Sequence, residues 1–154
     1  MPGESKGRVQ VRLKRFPHAR DLDLPAYATP GSAGVDLAAA IDEPLTLEPG
    51  RIALVPTGIA VALPPGFEGQ IRPRSGLATK HGISLVNAPG TVDSDFRGEM
   101  RCSLINLGRE SYTIHRGDRI AQMIIAPVHQ AEFVEVDELS ESERGSGGWG
   151  STGK

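Results

Sequence analysis

The chain has 154 residues, with 17 Lys and Arg against 19 Asp and Glu, so its net charge is −2 at neutral pH. This length suits one domain with a core of its own, and the near-neutral charge argues against nucleic acid or a membrane surface as partner. The apolar runs are too short to span a bilayer, and the charged N-terminal segment does not resemble a secretory signal. Because Cys102 is the single cysteine, no internal disulfide is possible and a cytoplasmic location is expected.

The 19 glycines and 12 prolines recur about every eight to twelve residues, which is the spacing typical of an all-β sandwich or barrel. Alternating apolar and polar residues predict half-buried strands, and a nearly continuous apolar run predicts a buried strand. In chain order, the predicted strands are 9–13, 45–47, 52–54, 59–63, 100–104, 120–125 and 128–136.

The sequence predicts one helix, residues 75–81, with Ser75 as its N-cap. Cys102 lies in an alternating run and is interpreted as a small core residue. Since the chain has only four phenylalanines, two tyrosines and one tryptophan, the core must depend on aliphatic side chains. A small β domain with such a core gains stability by association, so we expect an oligomer.

Residues 144–154, RGSGGWGSTGK, form a glycine-rich segment that contains the only tryptophan. Ordering each residue costs roughly 1–2 kcal/mol of backbone entropy, so the segment does not fold alone. Composition leaves two interpretations open: a solvated tail, or a flap that orders over a phosphorylated aromatic ligand through Arg144 and Trp149. GSGGWG and GWGSTGK match dinucleotide and P-loop patterns only formally, because no strand–loop–helix context surrounds them.

Five polar, glycine-marked segments interrupt the predicted strands. They are AGVDL (33–37), PRSGLA (73–78), NAPGTVDSDFRGE (87–99), RGDRIAQM (116–123) and RGSGGWGSTGK (144–154). Each segment is a weak signal alone. In this order and spacing they resemble the five motifs of the trimeric dUTPases, and PRSGLA and GTVDSDFRGE are close to signatures of that family.

The resemblance implies a jelly-roll-like β-sandwich or distorted barrel with one short helix and a flexible C-terminal tail. It implies a dUTPase-like β domain over residues 1–137 and a glycine-rich lid over residues 138–154. It further implies a homotrimer with active sites at subunit interfaces, dUTP as substrate and Mg²⁺ as cofactor. The implied reaction yields dUMP and pyrophosphate, which limits uracil in DNA and supplies dUMP for thymidylate synthesis.

The implied phosphate-binding residues lie in three of the segments, and the implied metal-binding residue lies in a fourth. PRSG places free N–H groups and a positive dipole end at a helix start, and an arginine fork suits phosphate. The resemblance assigns Asp36 to Mg²⁺ held through water, and one acidic residue is sufficient because Mg²⁺ keeps several waters and binds substrate phosphates. The resemblance assigns the phosphates to Arg74, Ser75, Gly76, Gln122, Arg144, Ser151 and Thr152, and it counts Gly150 among the substrate-binding residues.

The implied nucleoside-binding residues lie mostly in the third segment. Asn87 offers a donor and an acceptor for a pyrimidine edge, and the hairpin backbone around Gly90, Thr91 and Val92 would complete the pairing. Phe96 stands where the family usually has a tyrosine beneath the deoxyribose. The resemblance adds Met100, and Trp149 takes the position of a phenylalanine that stacks on uracil.

The candidate general base is Asp93 or Asp95, which would face the same side of a strand. Residue types alone do not choose between them, and the resemblance selects Asp93 as the catalytic residue. Arg116, Asp118 and Arg119 are expected to form structural ion pairs, and the histidines lack metal-ligand spacing. Two alternatives stay open: a dCTP deaminase of the same fold, and a non-catalytic nucleotide-sensing trimer.

Overall fold

Residues 7–153 are described by the computed structural model, and within them eleven strands and one α-helix follow one another. The elements are β1 Arg12–Arg15, β2 Val35–Ala38, β3 Leu45–Leu47, β4 Ile52–Pro56, β5 Ile59–Ala62, β6 Phe67–Arg72, α1 Ser75–His81, β7 Ile83–Leu85, β8 Gly90–Val92, β9 Arg101–Asn106, β10 Tyr112–Ile114 and β11 Arg119–Pro127. Among these residues no helix is long and apolar enough to cross a membrane.

The strands form four antiparallel sheets, in the orders β2-β11-β6-β8, β4-β9-β7, β1-β5 and β10-β3. Inward side chains of the two larger sheets meet in one apolar cluster, for example Leu37 and Met123 from the first and Val55 and Leu104 from the second. This arrangement is a β-sandwich and confirms the predicted fold class.

Most local predictions are confirmed. The helix spans Ser75–His81 as expected, and strands form at 45–47, at 52–54 within β4, and at 120–125 within β11. The helix ends at Gly82, which adopts the left-handed conformation (φ 71°) that glycine tolerates best. The segments 59–63 and 100–104 correspond to β5 and β9, each shifted by a residue or two at an end.

The prediction that Ser75 is the N-cap is wrong by one residue. Arg74 occupies the cap with an extended backbone, and its carbonyl accepts the first helical hydrogen bond from Ala78 N at 3.0 Å. Ser75 is therefore the first helical residue, where its own N–H has no acceptor inside the helix.

Two predicted strands differ from the structure for lack of a partner. Strand β1 covers only Arg12–Arg15, because its partner β5 ends at Ala62 and the following prolines, Pro64 and Pro65, have no N–H to donate. The strand expected at 128–136 is wrong: no strand forms there, and Phe133 is 95% exposed. Alternation alone does not make a strand where no sheet edge lies alongside.

Cys102 lies in β9, on the core side, and is 1% exposed. Desolvation by burial raises the pKa of its thiol to about 12, so the group stays protonated at neutral pH. The interpretation of Cys102 as a core residue is confirmed.

Asn106, at the end of β9, is a polar residue that is 0% exposed. Its amide nitrogen donates to the carbonyls of Leu47 and Glu110, both at 2.8 Å, and its Oδ1 accepts from Gly108 N at 2.9 Å. One side chain thus joins β3 to the loop between β9 and β10.

Replacing Asn106 with alanine should lower the free energy of unfolding by about 3 kcal/mol, because buried backbone groups lose their partners. Asn87→Ala is the matched control, since Asn87 is exposed, and it should change stability little. Chemical denaturation of both variants measures the difference, and equal stability would contradict the structural role of Asn106.

Candidate active site

A pocket of about 340 Å³ opens beside the hairpin that leads into β8. Strand β8 pairs with β6 in the register Ile71↔Gly90 and Gly69↔Val92. The packing at Gly90 is close, because a Cβ there would lie 3.2 Å from Cβ of Ile71. The predicted site residues that line the pocket are Asn87, Gly90, Thr91, Val92, Asp93, Phe96 and Met100.

The two candidate carboxylates do not lie on a strand, so the expectation that both face one side is wrong. Strand β8 ends at Val92, and a turn follows in which Phe96 N donates to Asp93 O at 3.2 Å. Asp93 lines the pocket, whereas Asp95 is not among the lining residues that the structure describes. The turn therefore separates two carboxylates that the sequence alone left equivalent.

A cluster of charged side chains lies at the start of α1. Nε of Arg74 donates to Oδ1 of Asp36 at 3.0 Å, and a guanidinium nitrogen of Arg119 lies 3.5 Å from Oδ2. The sequence places no basic residue next to Asp36. The fold supplies two, because β2 pairs with β11 and β11 with β6, the strand before Arg74.

Gln122 lies between these strands, opposite Asp36 on β2 and Arg72 on β6. Its amide nitrogen donates to Pro73 O at 3.0 Å. A Cβ on Gly34 would lie 2.9 Å from its Oε1, so the absence of a side chain at Gly34 leaves room for this amide.

The first turn of α1 is open to solvent at Ser75 and Gly76. Since the helical hydrogen bonds begin with Ala78 N, the N–H groups of the first three helical residues have no helical acceptor. A Cβ built on Gly76 meets no atom within 4 Å, which leaves free space above the backbone. Together with Arg74, this turn is chemically suited to an anion.

A divalent cation fits this cluster only through water. The described residues contain no group of three or more His, Cys, Asp or Glu side chains that could hold a metal. Asp36 is one carboxylate already bonded to guanidinium groups, which makes it a poor direct ligand. Its oxygens retain lone pairs for a water molecule, and Mg²⁺ commonly keeps such waters.

The pocket and the charged cluster are separate within one chain. Asp36, Arg74, Ser75 and Gln122 are not among the described residues that line the pocket of about 340 Å³. The fold therefore brings the residues predicted to bind the nucleoside close to one another, and it does the same for residues predicted to bind the phosphates. Within one chain, however, it does not join these two sets of residues in a single cavity.

The C-terminal tail forms consecutive turns, and its described hydrogen bonds lie within the tail. Nε of Arg144 donates to Gly147 O at 2.8 Å, and Ser151 N donates to Gly148 O at 3.0 Å. Trp149 is fully exposed and has a positive φ of 52°. Gly150 and Thr152 lie in the same exposed turns.

Arg116 and Arg119 of the fourth segment form ion pairs, as expected, whereas the hydrogen bond that Asp118 accepts comes from a backbone N–H. Arg116 holds Asp21 through two nitrogens, and this hydrogen bond keeps the pKa of the Asp21 carboxyl below its ordinary value. Asp118 accepts from His115 N at 2.8 Å.

Sequence reasoning missed the contact of His18 with Glu99, whose Nε2 and Oε1 atoms are 2.6 Å apart. Glu99 also accepts from Gly58 N at 2.9 Å and lines the pocket. The two residues are 81 positions apart, and no local pattern indicates the pair.

A cavity of this size with a few polar groups at its edge, together with a separate cluster suited to an anion, is typical of a ligand-binding β-sandwich. The family model described as dUTPase matches residues 20–153. The chain therefore belongs to the dUTPase family, as its five segments predicted.

Individual relatives agree. A deoxyuridine 5'-triphosphate nucleotidohydrolase of Maricaulis maris is 60% identical over 147 residues, which are 94% of this chain and 97% of the relative. One of Desulfotalea psychrophila is 61% identical over 132 residues, 86% and 88% of the two chains. Among solved structures, the dUTPase of Staphylococcus bacteriophage 80alpha with dUPNHPP has a TM-score of 0.84 and 27% identity, over 94% of this chain and 99% of that one.

Proposed function

We propose that this chain is a dUTP diphosphatase that hydrolyses dUTP to dUMP and pyrophosphate, with Asp93 as the general base. The observation that carries the proposal is the position of Asp93 on the wall of the hairpin pocket, where Asp95 is absent from the lining residues described. Relatives about 60% identical over most of the chain are named for this activity.

The hairpin pocket receives the nucleoside. Asn87 at its mouth presents both a donor and an acceptor to the uracil edge, and the backbone from Gly90 to Val92 completes the pairing. The ring of Phe96 packs beneath the deoxyribose and leaves no room for a 2′-hydroxyl. Met100, which is 3% exposed, forms part of the apolar wall.

The cluster at the start of α1 receives the phosphates. The N–H groups of Ser75 and Gly76 and the guanidinium of Arg74 neutralise their oxygens, and Gln122 adds an amide. Asp36 keeps Arg74 oriented at 3.0 Å while its other lone pairs take a water. Mg²⁺ bound to the phosphates supplies further charge neutralisation when present.

In the reaction, the Asp93 carboxylate orients a water molecule and accepts its proton as the oxygen attacks the α-phosphorus. The bond between the α-phosphorus and the bridging oxygen breaks, and pyrophosphate leaves on the opposite side. The chain contributes positioning and charge stabilisation rather than a covalent intermediate.

In a homotrimer, the hairpin pocket and the charged cluster that together make one complete site come from different copies of the chain. Their separation within one chain supports this, and so does an exposed apolar area on the three-stranded sheet. On β4, Ile52 is 57% and Leu54 is 55% exposed, and Ile52 pairs with Ile105 of β9. Apolar surface of this kind is typical of the centre of a subunit interface.

We assign residues 1–137 to the β domain and residues 138–154 to a lid that closes over a neighbouring site; residues 1–6 and 154 of these ranges lie outside the described part of the chain. The exposed stretch after β11 supplies the reach, and the positive φ values of Gly145, Gly150 and Gly153 allow the turns. Arg144, Ser151 and Thr152 bind the γ-phosphate, and the indole of Trp149 stacks on uracil. The enzyme works in the cytoplasm, where it limits uracil in DNA and supplies dUMP for thymidylate synthesis.

Pyrophosphate release from dUTP, dCTP, dTTP and UTP, each with and without Mg²⁺, tests the function directly. Release from dUTP far above the other nucleotides is expected. Ammonia release from dCTP without pyrophosphate release from dUTP would indicate a deaminase. Nucleotide binding without multiple-turnover hydrolysis would indicate a non-catalytic sensor.

Asp93→Asn should lower kcat on the order of 10²–10⁴-fold with little effect on nucleotide binding, because the amide does not accept the proton of water. Asp95→Asn, two residues away, is the matched control and should stay near the wild-type rate. Steady-state kinetics with titration of a non-hydrolysable analogue separates the two effects, and a larger loss in the Asp95 variant would reverse the assignment.

Asp36→Asn should raise the Mg²⁺ concentration for half-maximal activity by about tenfold or more, because it weakens the water-mediated contact with the ion. Asp42→Asn removes a carboxylate that is 90% exposed and should leave this concentration unchanged. An Mg²⁺ titration at fixed dUTP gives the result. Identical Mg²⁺ dependence of the wild type and of both variants would exclude Asp36 from the metal site.

Removal of residues 144–154 should leave the fold intact and lower kcat/KM by about 10²-fold, because the tail no longer orders the triphosphate. Circular dichroism checks the fold. In the full chain, the emission of Trp149 should change when a non-hydrolysable dUTP analogue binds, whereas full activity after truncation would show that the tail is only a solvated end.

A further inference from the structure

We propose that Gly98 is a specificity-determining positioning residue. Because it has no side chain, the Phe96 ring can occupy its place at the edge of the nucleoside pocket. The inference rests on the proposed function in one respect only, namely that this ring packs against the sugar. It concerns a residue that none of the roles assigned above includes.

A side chain at Gly98 would collide with the ring of Phe96. A Cβ built on Gly98 would lie 2.8 Å from Cζ of the ring, closer than real side chains approach, and 3.0 Å from Cε2. The third nearest atom, at 3.7 Å, belongs to the same ring. The ring is therefore what a side chain at this position would strike.

The backbone does not explain the glycine. Gly98 is absent from the described residues with positive φ, so its conformation is open to any L-residue. By contrast, Gly82 and Gly150 have φ values of 71° and 88°, which disfavour other residues. At Gly98 the constraint comes from the aromatic neighbour.

Arg97, which lies between Phe96 and Gly98, stabilises the turn that carries Phe96. A guanidinium nitrogen of Arg97 donates to Ser94 O at 2.6 Å and to Phe96 O at 3.0 Å. Phe96 N donates to Asp93 O at 3.2 Å. Since three hydrogen bonds fix the backbone, an added methyl group at Gly98 would move the ring rather than the turn.

Movement of the ring changes the sugar site. Phe96 lines the pocket of about 340 Å³ and is 43% exposed, so the side away from Gly98 has no dense packing to resist a shift. A displaced ring no longer excludes an oxygen at the 2′ position with the same geometry. Gly98 thereby acts through Phe96 on deoxyribose selectivity, while the chemistry at Asp93 is unchanged.

Kinetics of Gly98→Ala test this role in the full-length enzyme. We expect kcat/KM for dUTP to fall by about tenfold or more, chiefly through KM, and the preference for dUTP over UTP to decrease. Gly31→Ala is the matched control, because a Cβ at Gly31 meets no atom within 4 Å and its φ is not positive. In a Phe96→Leu background, Gly98→Ala should have little further effect.

A second measurement needs no substrate. In protein labelled with 4-fluorophenylalanine, the ¹⁹F resonance of Phe96, assigned with Phe96→Leu, should shift in Gly98→Ala and stay in place in Gly31→Ala. An unshifted resonance, or an equal kinetic loss in the Phe96→Leu background, overturns the proposal. Failure of the wild-type enzyme to release pyrophosphate from dUTP would instead overturn the proposed function and leave the ring contact standing.

Discussion

The pairing of β6 with strands on both of its sides is the constraint on which both halves of the site depend. One edge of β6 pairs with β11 from Phe67 to Arg72, and the other pairs with β8. The chain leaves β6 through Pro73 directly into Arg74 and α1, and it leaves β8 into Asp93. A slip of one residue in this register would turn Gln122 and its neighbours from one face of the sheet to the other.

The charged cluster at the start of α1 is organised around one carboxylate, that of Asp36. The contacts of Asp36 with Arg74 and Arg119 are partly exposed, with side-chain exposures of 31%, 29% and 62% respectively. Ion pairs at such exposures contribute only about 0–1 kcal/mol to stability. Their consequence is geometric, since Asp36 fixes the direction of a guanidinium that would otherwise sample many rotamers in water.

Glycines define the space around the functional side chains in the same way that charged partners define their direction. A Cβ at Gly34 would lie 2.9 Å from Gln122 Oε1, one at Gly90 would lie 3.4 Å from Asn87 Nδ2, and one at Gly98 would lie 2.8 Å from the Phe96 ring. In these places the backbone conformation does not require glycine, because none of the three has a positive φ. At Gly34 and Gly98 the requirement is steric, because a Cβ there would lie less than 3.0 Å from a neighbouring side chain, whereas at Gly90 the packing is only close.

The sequence by itself determined the family, the helix at Ser75–His81 and, in whole or in part, six of the eleven described strands, because motif order and alternation are properties of short stretches of chain. Only the tertiary structure decided which carboxylate lines the pocket, which arginines hold Asp36, and that residues 128–136 form no strand. These outcomes depend on partners far along the chain: 38 and 83 positions separate Asp36 from its two arginines. A sequence pattern indicates which chemistry a side chain allows, whereas the pairing of distant strands determines which side chains lie next to it.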